Sequence, residues 1–231
     1  ALQDGTTISG GAAGVLAEGN RAHVEFPASL TPPSFSGLAG DYVTLSGCSN
    51  DADATAAEFD GKPGSAMTPA ELFAVEDKIH HALDDSALGL VRVKAASVYV
   101  TPASGLIQRG VDAAAAGDTV NVAAGTYTQA VSLAAAKSLS IAGEGRDVVT
   151  WVAPAEGTCI TGNLEGHTGA MAYEISGITF NCRSLSSSEW GGGIQIYGAA
   201  SGPLSLLIHD NRFLEDRASG NSNHWATSMW L

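Results

Sequence analysis

From residue 119 onward the chain alternates polar and apolar residues in short runs: "TVNVA", "TYTQAVSL", "SLSIAG", "VVTWVA", "TCITG", "YEISGITF", "GGIQIYG" and "LSLLIHDNRF". Gly, Ser, Asn or Asp parts each run from the next. Period-two alternation over short stretches marks strands, and the separators are turn formers. Two further facts limit what such strands can build. No helical run lies between them, so the crossover that joins parallel strands in an α/β sheet is missing. Asn-Gly and Asp-Gly hairpin turns are missing between them too. Strands joined by neither device wind in one direction as stacked coils, a parallel solenoid.

An internal repeat agrees. "YEISGITFN" at 173–181 and "LLIHDNRFL" at 206–214 align with Ile175 against Ile208 and Phe180 against Phe213. That offset is long for one coil, so a loop such as "RSLSSSEWGG" must bulge between them. The composition suits short strands and turns better than a helical bundle, with 28 Gly against only 11 Lys and Arg. A formal charge of −13 and no Lys/Arg cluster argue against nucleic acid, whose phosphates need a basic patch. No stretch approaches the length of a membrane span. The start "ALQDGTTISGG" has neither the basic nor the apolar region of a signal peptide, as expected of a mature secreted chain or of a fragment.

The middle of the chain follows a different period. In "MTPAELFAVEDKIHHALDD", Thr68 is an N-cap, Pro69 takes the first helical position and Glu71 closes a capping box. Leu72, Val75, Ile79 and Leu83 then recur at helical spacing, so a connector α-helix is expected over about 69–85. The preceding "SGCSNDADATAAEFDGKPGSA" reads as an acidic linker, and residues 48–95 carry nine Asp/Glu and four Lys/Arg. Beyond it, "GLIQRGVDAAAAGD" places Leu106, Ile107, Val111 and Ala114 on one face of a short helix. The expected organisation is therefore solenoid-like coils over 1–47, linker and helix over 48–95, and opening coils over 96–231.

The stretch "VYVTPASGLIQRGVDAAAAGDTVNVAAGTYTQAVSLAAAKSLSIAGEG" resembles the first coils of pectin lyase-like proteins. The resemblance implies an all-β, right-handed parallel β-helix with a short N-terminal capping helix. In it Val120 and Val122 would point inward beneath an amphipathic lid that shields strand edges. "TTISGGAAGVLAEGNRAHVEFPAS" and "FSGLAGDYVTLSG" resemble late coils of the same kind, as in large repetitive bacterial surface proteins. The chain then reads as cut out of phase with its modules, with two uncapped coil faces and head-to-tail self-association as the expected way to cover them.

β-Helix enzymes act on polyuronides, so the resemblance directs attention to their acidic sites. No vicinal Asp pair falls on a coil strand, and no catalytic residue is assigned. The nearest set is "HDNRFLED", in which Asn211 is expected to stack in a turn and Arg212 to pair with Glu215 or Asp216. Same-face pairs Glu76–His80 and Asp77–His81 are expected on the connector helix. Asp51, Asp53 and Asp60 are calcium candidates on a loop that only loosely matches a calcium-binding spacing; no other cofactor is expected. Trp190, Trp225 and Trp230 are candidates for stacking on a surface glycan. Cys159 and Cys182 are separated by close to the length of one β-helix coil, which makes them disulfide candidates as stacked neighbours, with Cys48 free or intermolecular. The function expected on these grounds is a non-catalytic structural module of a secreted or cell-surface bacterial protein. The alternatives are a polysaccharide-active fragment and a carbohydrate-binding adhesin.

Overall fold

A computed structural model describes residues 6–27, 31–133, 137–154, 157–184, 191–198, 202–217 and 226–230. The chain divides into two compact units, Ala1–Gly105 and Leu106–Leu231. Strands dominate both.

In the first unit the strands are β1 (Thr7–Ser9), β2 (Val15–Glu18), β3 (Ser34–Ser36), β4 (Val43–Ser46), β5 (Ala52–Asp53), β6 (Glu58–Phe59) and β7 (Lys62–Pro63). After helix α1 (Pro69–Glu76) come β8 (Ile79–His80), β9 (Val91–Arg92) and β10 (Ser97–Val100). β1, β3 and β6 pair in parallel, as do β2, β4 and β8, and β5 with β9. Among the described residues only the tight β6–β7 turn is antiparallel. Ile8, Phe35 and Phe59 therefore share one column, and Val15, Val43 and Ile79 another. The Phe35 and Phe59 rings stack at 5.3 Å, with Tyr42 tilted against both.

Two expectations are corrected here. Residues 48–95 do not lie apart as a linker: β6 pairs with β3, β8 with β4 and β5 with β9, and Ala52, Ala54, Ala57 and Phe59 are buried. The connector helix does start as expected, with the Thr68–Glu71 capping box formed, but it ends at Glu76 instead of about 85. Ile79 and His80 leave the helix to pair with Val43 and Thr44. Burying Ile79 and Leu83 against neighbouring strands satisfies the same apolar stripe that helical spacing would, so tertiary pairing decides.

The second unit opens with α2 (Ile107–Ala113). There follow β11 (Thr119–Val122), β12 (Gly125–Thr128), β13 (Val131–Leu133), β14 (Leu139–Gly143), β15 (Val149–Val152) and β16 (Thr158–Asn163). Then come β17 (Met171–Ser176), β18 (Thr179–Ser184), β19 (Gly191–Tyr197), β20 (Leu204–His209), β21 (Arg212–Arg217) and β22 (Ala226–Trp230). Each sheet takes every third strand, all in parallel: β11-β14-β17-β20, β12-β15-β18-β21 and β13-β16-β19-β22. Three apolar columns result. Val120, Ile141, Ile175 and Ile208 form the first, and Tyr127, Trp151, Phe180 and Phe213 the second. Val131, Ile160, Ile194 and Met229 are in register along the third. Each fully buried large side chain contributes about 1.5–3 kcal/mol. The columns hold the unit together.

The registers of Ile175 with Ile208 and Phe180 with Phe213 match the internal repeat. Val120 and Val122 are fully buried, as the lidded-coil reading expects. In α2, Ile107 and Val111 are buried, while Leu106 is exposed at the N-cap position. The Gln108 side chain treats β13 as a strand would: its Oε1 accepts from the Ser132 amide at 2.7 Å, and its Nε2 donates to the Ser132 carbonyl at 3.3 Å. Lys137 Nζ closes the other end of the helix by donating to the carbonyls of Val111, Asp112 and Ala114. At the corner after β17, Gly177 has φ 72°, and a Cβ there would sit 2.4 Å from the Gly143 carbonyl oxygen one coil away. Only glycine fits that corner.

Candidate functional site

The "HDNRFLED" segment forms the corner after β20. Asn211 does hold the turn, as expected. Its Oδ1 accepts from the Ile178 amide at 3.0 Å and its Nδ2 donates to the Ile175 carbonyl at 2.7 Å, both one coil back. Arg212 pairs with Asp147 at 2.7 Å. The side chains of Glu215 and Asp216, its expected partners, lie outside the described residues, and the Asp147 contact comes from a corner 65 residues earlier that no local spacing predicts. His209 lies between two carboxylates: Nδ1 is 2.8 Å from Asp210 Oδ2 and Nε2 is 3.0 Å from Glu174 Oε1 on β17. Hydrogen bonds to Glu174 and then Asp210 raise the His209 pKa, and the His209 contact lowers that of Asp210. Two acceptors on opposite ring nitrogens suit an imidazolium and cannot both ligate one metal ion.

The first unit contains a cleft of about 240 Å³ between the β6–β7 turn and α1, lined by Tyr42, Phe59, Met67, Val75 and a polar rim. Every rim group already has a partner. Tyr42 donates to Asp60 Oδ2 at 2.6 Å, Lys62 pairs with Glu71, and Lys78 donates to the Leu38 carbonyl at 2.8 Å while lying 4.7 Å from the Tyr42 ring centre. Burial, and then the Asp60 bond, push the Tyr42 hydroxyl pKa up; the same bond lowers Asp60. Lys62 and the Thr68 cap pull Glu71 down to about 2.

Behind α1 is a buried pair that sequence reasoning missed. Glu76 and His81 are 4% and 1% exposed and meet at 2.8 Å. The Val91 amide donates to His81 Nδ1 at 3.0 Å, so Nε2 carries the proton and donates to Glu76 Oε1. Burial pushes the Glu76 pKa above the usual carboxylate range, partly offset by His81. Glu76 in turn draws a proton toward His81, against the burial that opposes it, but that proton could enter only at Nδ1 by displacing the Val91 amide. The expected Glu76–His80 and Asp77–His81 pairs do not form, because the helix has ended. Asp77 instead accepts from the Thr101 hydroxyl at 2.5 Å, and His80 faces Asp84 at 3.8 Å.

The calcium candidates are not brought together. Asp51 accepts from the Leu90 amide, Asp53 from the Thr55 amide and hydroxyl, and Asp60 from Tyr42 and Gly37. Among the described residues no three His, Cys, Asp or Glu side chains meet as a metal site. Trp190 and Trp225 lie outside the described residues, as does the side chain of Trp230, whose backbone belongs to β22.

Cys48, Cys159 and Cys182 are buried and form no disulfide. Cys159 lies in β16 and Cys182 in β18, on different ladders, and Cys182 is in register with Glu215. The stacked pairing therefore fails. The pairing needs a coil of about that length at this level, but the run of chain from Ile160 to its ladder partner Ile194 is much longer than that from Thr119 to Ser140. The step from Cys159 to Cys182 thus falls short of the β16 ladder. The two thiols still influence each other: burial, and then Cys182, raise the Cys159 pKa. Among the described residues no helix is long and apolar enough to cross a membrane.

No protein-family model, curated protein or solved structure matches the chain.

Proposed function

We propose that the chain is a structural module, a right-handed parallel β-helix of the pectin lyase-like kind, from a secreted surface or filament-forming bacterial protein. The observation that carries this reading is the strand order of the second unit, in which three parallel ladders each take every third strand and keep Val/Ile and aromatic columns in register. Connections between parallel strands of one sheet are right-handed in nearly all proteins, which supplies the hand. The polar clusters fit a scaffold role. Asn211 and Arg212 are spent on joining corners, and the cleft rim is internally paired. Leu204, Leu207 and Leu214 are exposed on the last described strands of two ladders, which favours self-association, and a surface glycan remains a partner to test.

Incubation with polyuronides and a glycan panel tests the reading. Neither cleavage nor saturable binding is the expected result. Bond cleavage would overturn it in favour of a polysaccharide-active enzyme, and saturable binding without cleavage in favour of an adhesin. Light scattering at rising concentration tests the self-association separately, with a growing mass expected and a constant 23.4 kDa species refuting it.

A further inference from the structure

We propose that His209 is a protonation-dependent latch that fastens the corner after β20 to the preceding coil. Each ring nitrogen faces a carboxylate oxygen at hydrogen-bond distance, Asp210 on one side and Glu174 on the other. Both contacts are donor bonds only when both nitrogens carry protons. On deprotonation one nitrogen becomes a lone pair aimed at a carboxylate, and that contact turns from attractive to repulsive.

The corner needs such a fastening. Asp210 has φ 54°, a left-handed backbone that Asp tolerates better than most residues but that still costs more than it does for glycine. One coil back, directly after the Ser176–His209 register pair, stands Gly177, which adopts the same region without that cost. The tie to Glu174 and the Asn211 bonds to Ile175 and Ile178 together hold the strained turn in place. Among the described residues the charged groups around the latch are the following. Glu174 and Asp210 face the ring, Arg146 acts on Asp210 from the corner before β15, and Asp147 beside it is paired with Arg212.

The direction of the switch follows from linkage. The folded protein holds the His209 proton more tightly than the unfolded chain does, so the latch is fully closed below the ordinary histidine value of 6.5 and opens as pH rises through the higher folded value. In a secreted or surface setting it would fasten this corner in acid and loosen it in alkali.

The test is an NMR titration of His209 in the wild type, Glu174→Gln, Asp210→Asn and the double variant, with amide exchange of Ile178 and Arg212 followed across the same range. These two amides report on the corner through their bonds to Asn211 Oδ1 and the Ile178 carbonyl. The expected wild-type midpoint lies above 6.5, falls in each single variant and falls furthest in the double. The ratio of wild-type to double-variant exchange should rise toward one as pH passes the wild-type midpoint. A midpoint at or below 6.5, or one unmoved by the variants, overturns the latch. So does a raised midpoint with an exchange ratio that stays flat, because His209 would then titrate without holding the turn.

Discussion

Replacing Phe180 with alanine should be among the most damaging single truncations in the second unit. Phe180 is fully buried and sits mid-column between two rings, with Trp151 at 5.7 Å and 29° and Phe213 at 5.1 Å and 15°. Truncating a buried Phe to Ala costs about 3–5 kcal/mol in lost transfer energy and residual cavity. Backbone ladders on both sides of β18 keep the coils from closing over the gap, which favours the upper half of that range. Phe180→Leu retains most of the apolar volume and gives up chiefly the two ring contacts, at about 0.5–1.5 kcal/mol each, so about 1–3 kcal/mol in all. Phe213→Ala removes a half-buried ring and should cost less than Phe180→Ala. Urea unfolding followed by circular dichroism measures all three. At about 2–4 °C per kcal/mol for a chain of this size, Phe180→Ala should also lower Tm by roughly 6–20 °C. A Phe180→Ala cost below about 1 kcal/mol, or a larger cost at Phe213, would refute the column as the main source of cohesion.

Gly177→Ala should destabilise by about 2 kcal/mol or more, because it combines a positive φ with a Cβ placed against the Gly143 carbonyl; a neutral result in a thermal melt would mean that the corners are not stacked as described. Gln108→Ala should cost about 1–2 kcal/mol for the two bonds to Ser132 and should raise concentration-dependent scattering as β13 becomes a free edge, whereas unchanged scattering would show that α2 guards the edge without that amide. Glu76→Gln should alter the pH dependence of stability in a defined direction. With a folded pKa above the ordinary 4.5, Glu76 stabilises the fold below 4.5 and loses that contribution as pH rises through the folded value, so the wild-type-minus-variant stability difference should fall across that window. Paired denaturation curves at several pH values check this: a flat difference would show that Glu76 keeps an ordinary carboxylate pKa, and a rising one that its pKa is lowered, either of which refutes the reasoning.

Parts of the fold could be read from single residues because local chemistry decided them. The Thr68–Glu71 box marks a helix start whatever follows, and the Ile175/Ile208 and Phe180/Phe213 matches mark register because only inward positions must repeat. The helix end was hidden, since Ile79 and Leu83 are buried equally well by a helix stripe or by strands. β5, β6, β8 and β9 are two residues long, too short to display any period, so a woven segment looked like a linker. The Glu76–His81 pair was missed for the same reason as the helix end, because an i, i+5 contact has no place on a continuous helix. Cysteine spacing misled because coil length is not constant. The His209 contacts reach across 35 residues to Glu174, which only the pairing of β17 with β20 brings near.

The coils lengthen along the second unit, from the short turn that carries Thr119 to Ser140 to the much longer one that carries Ile160 to Ile194, and this has a consequence for how such a chain can vary. The step from one strand to the strand above it is set by backbone hydrogen bonding at about 4.8 Å, whatever the length of chain between them. Added residues can only swing outward at the corners, where closing a loop twice as long costs about 0.6 kcal/mol. The ladders thus work as a ruler that fixes height and leaves circumference free. New surface can be inserted at a corner and be placed at a known level along the stack, without the interior registering the change.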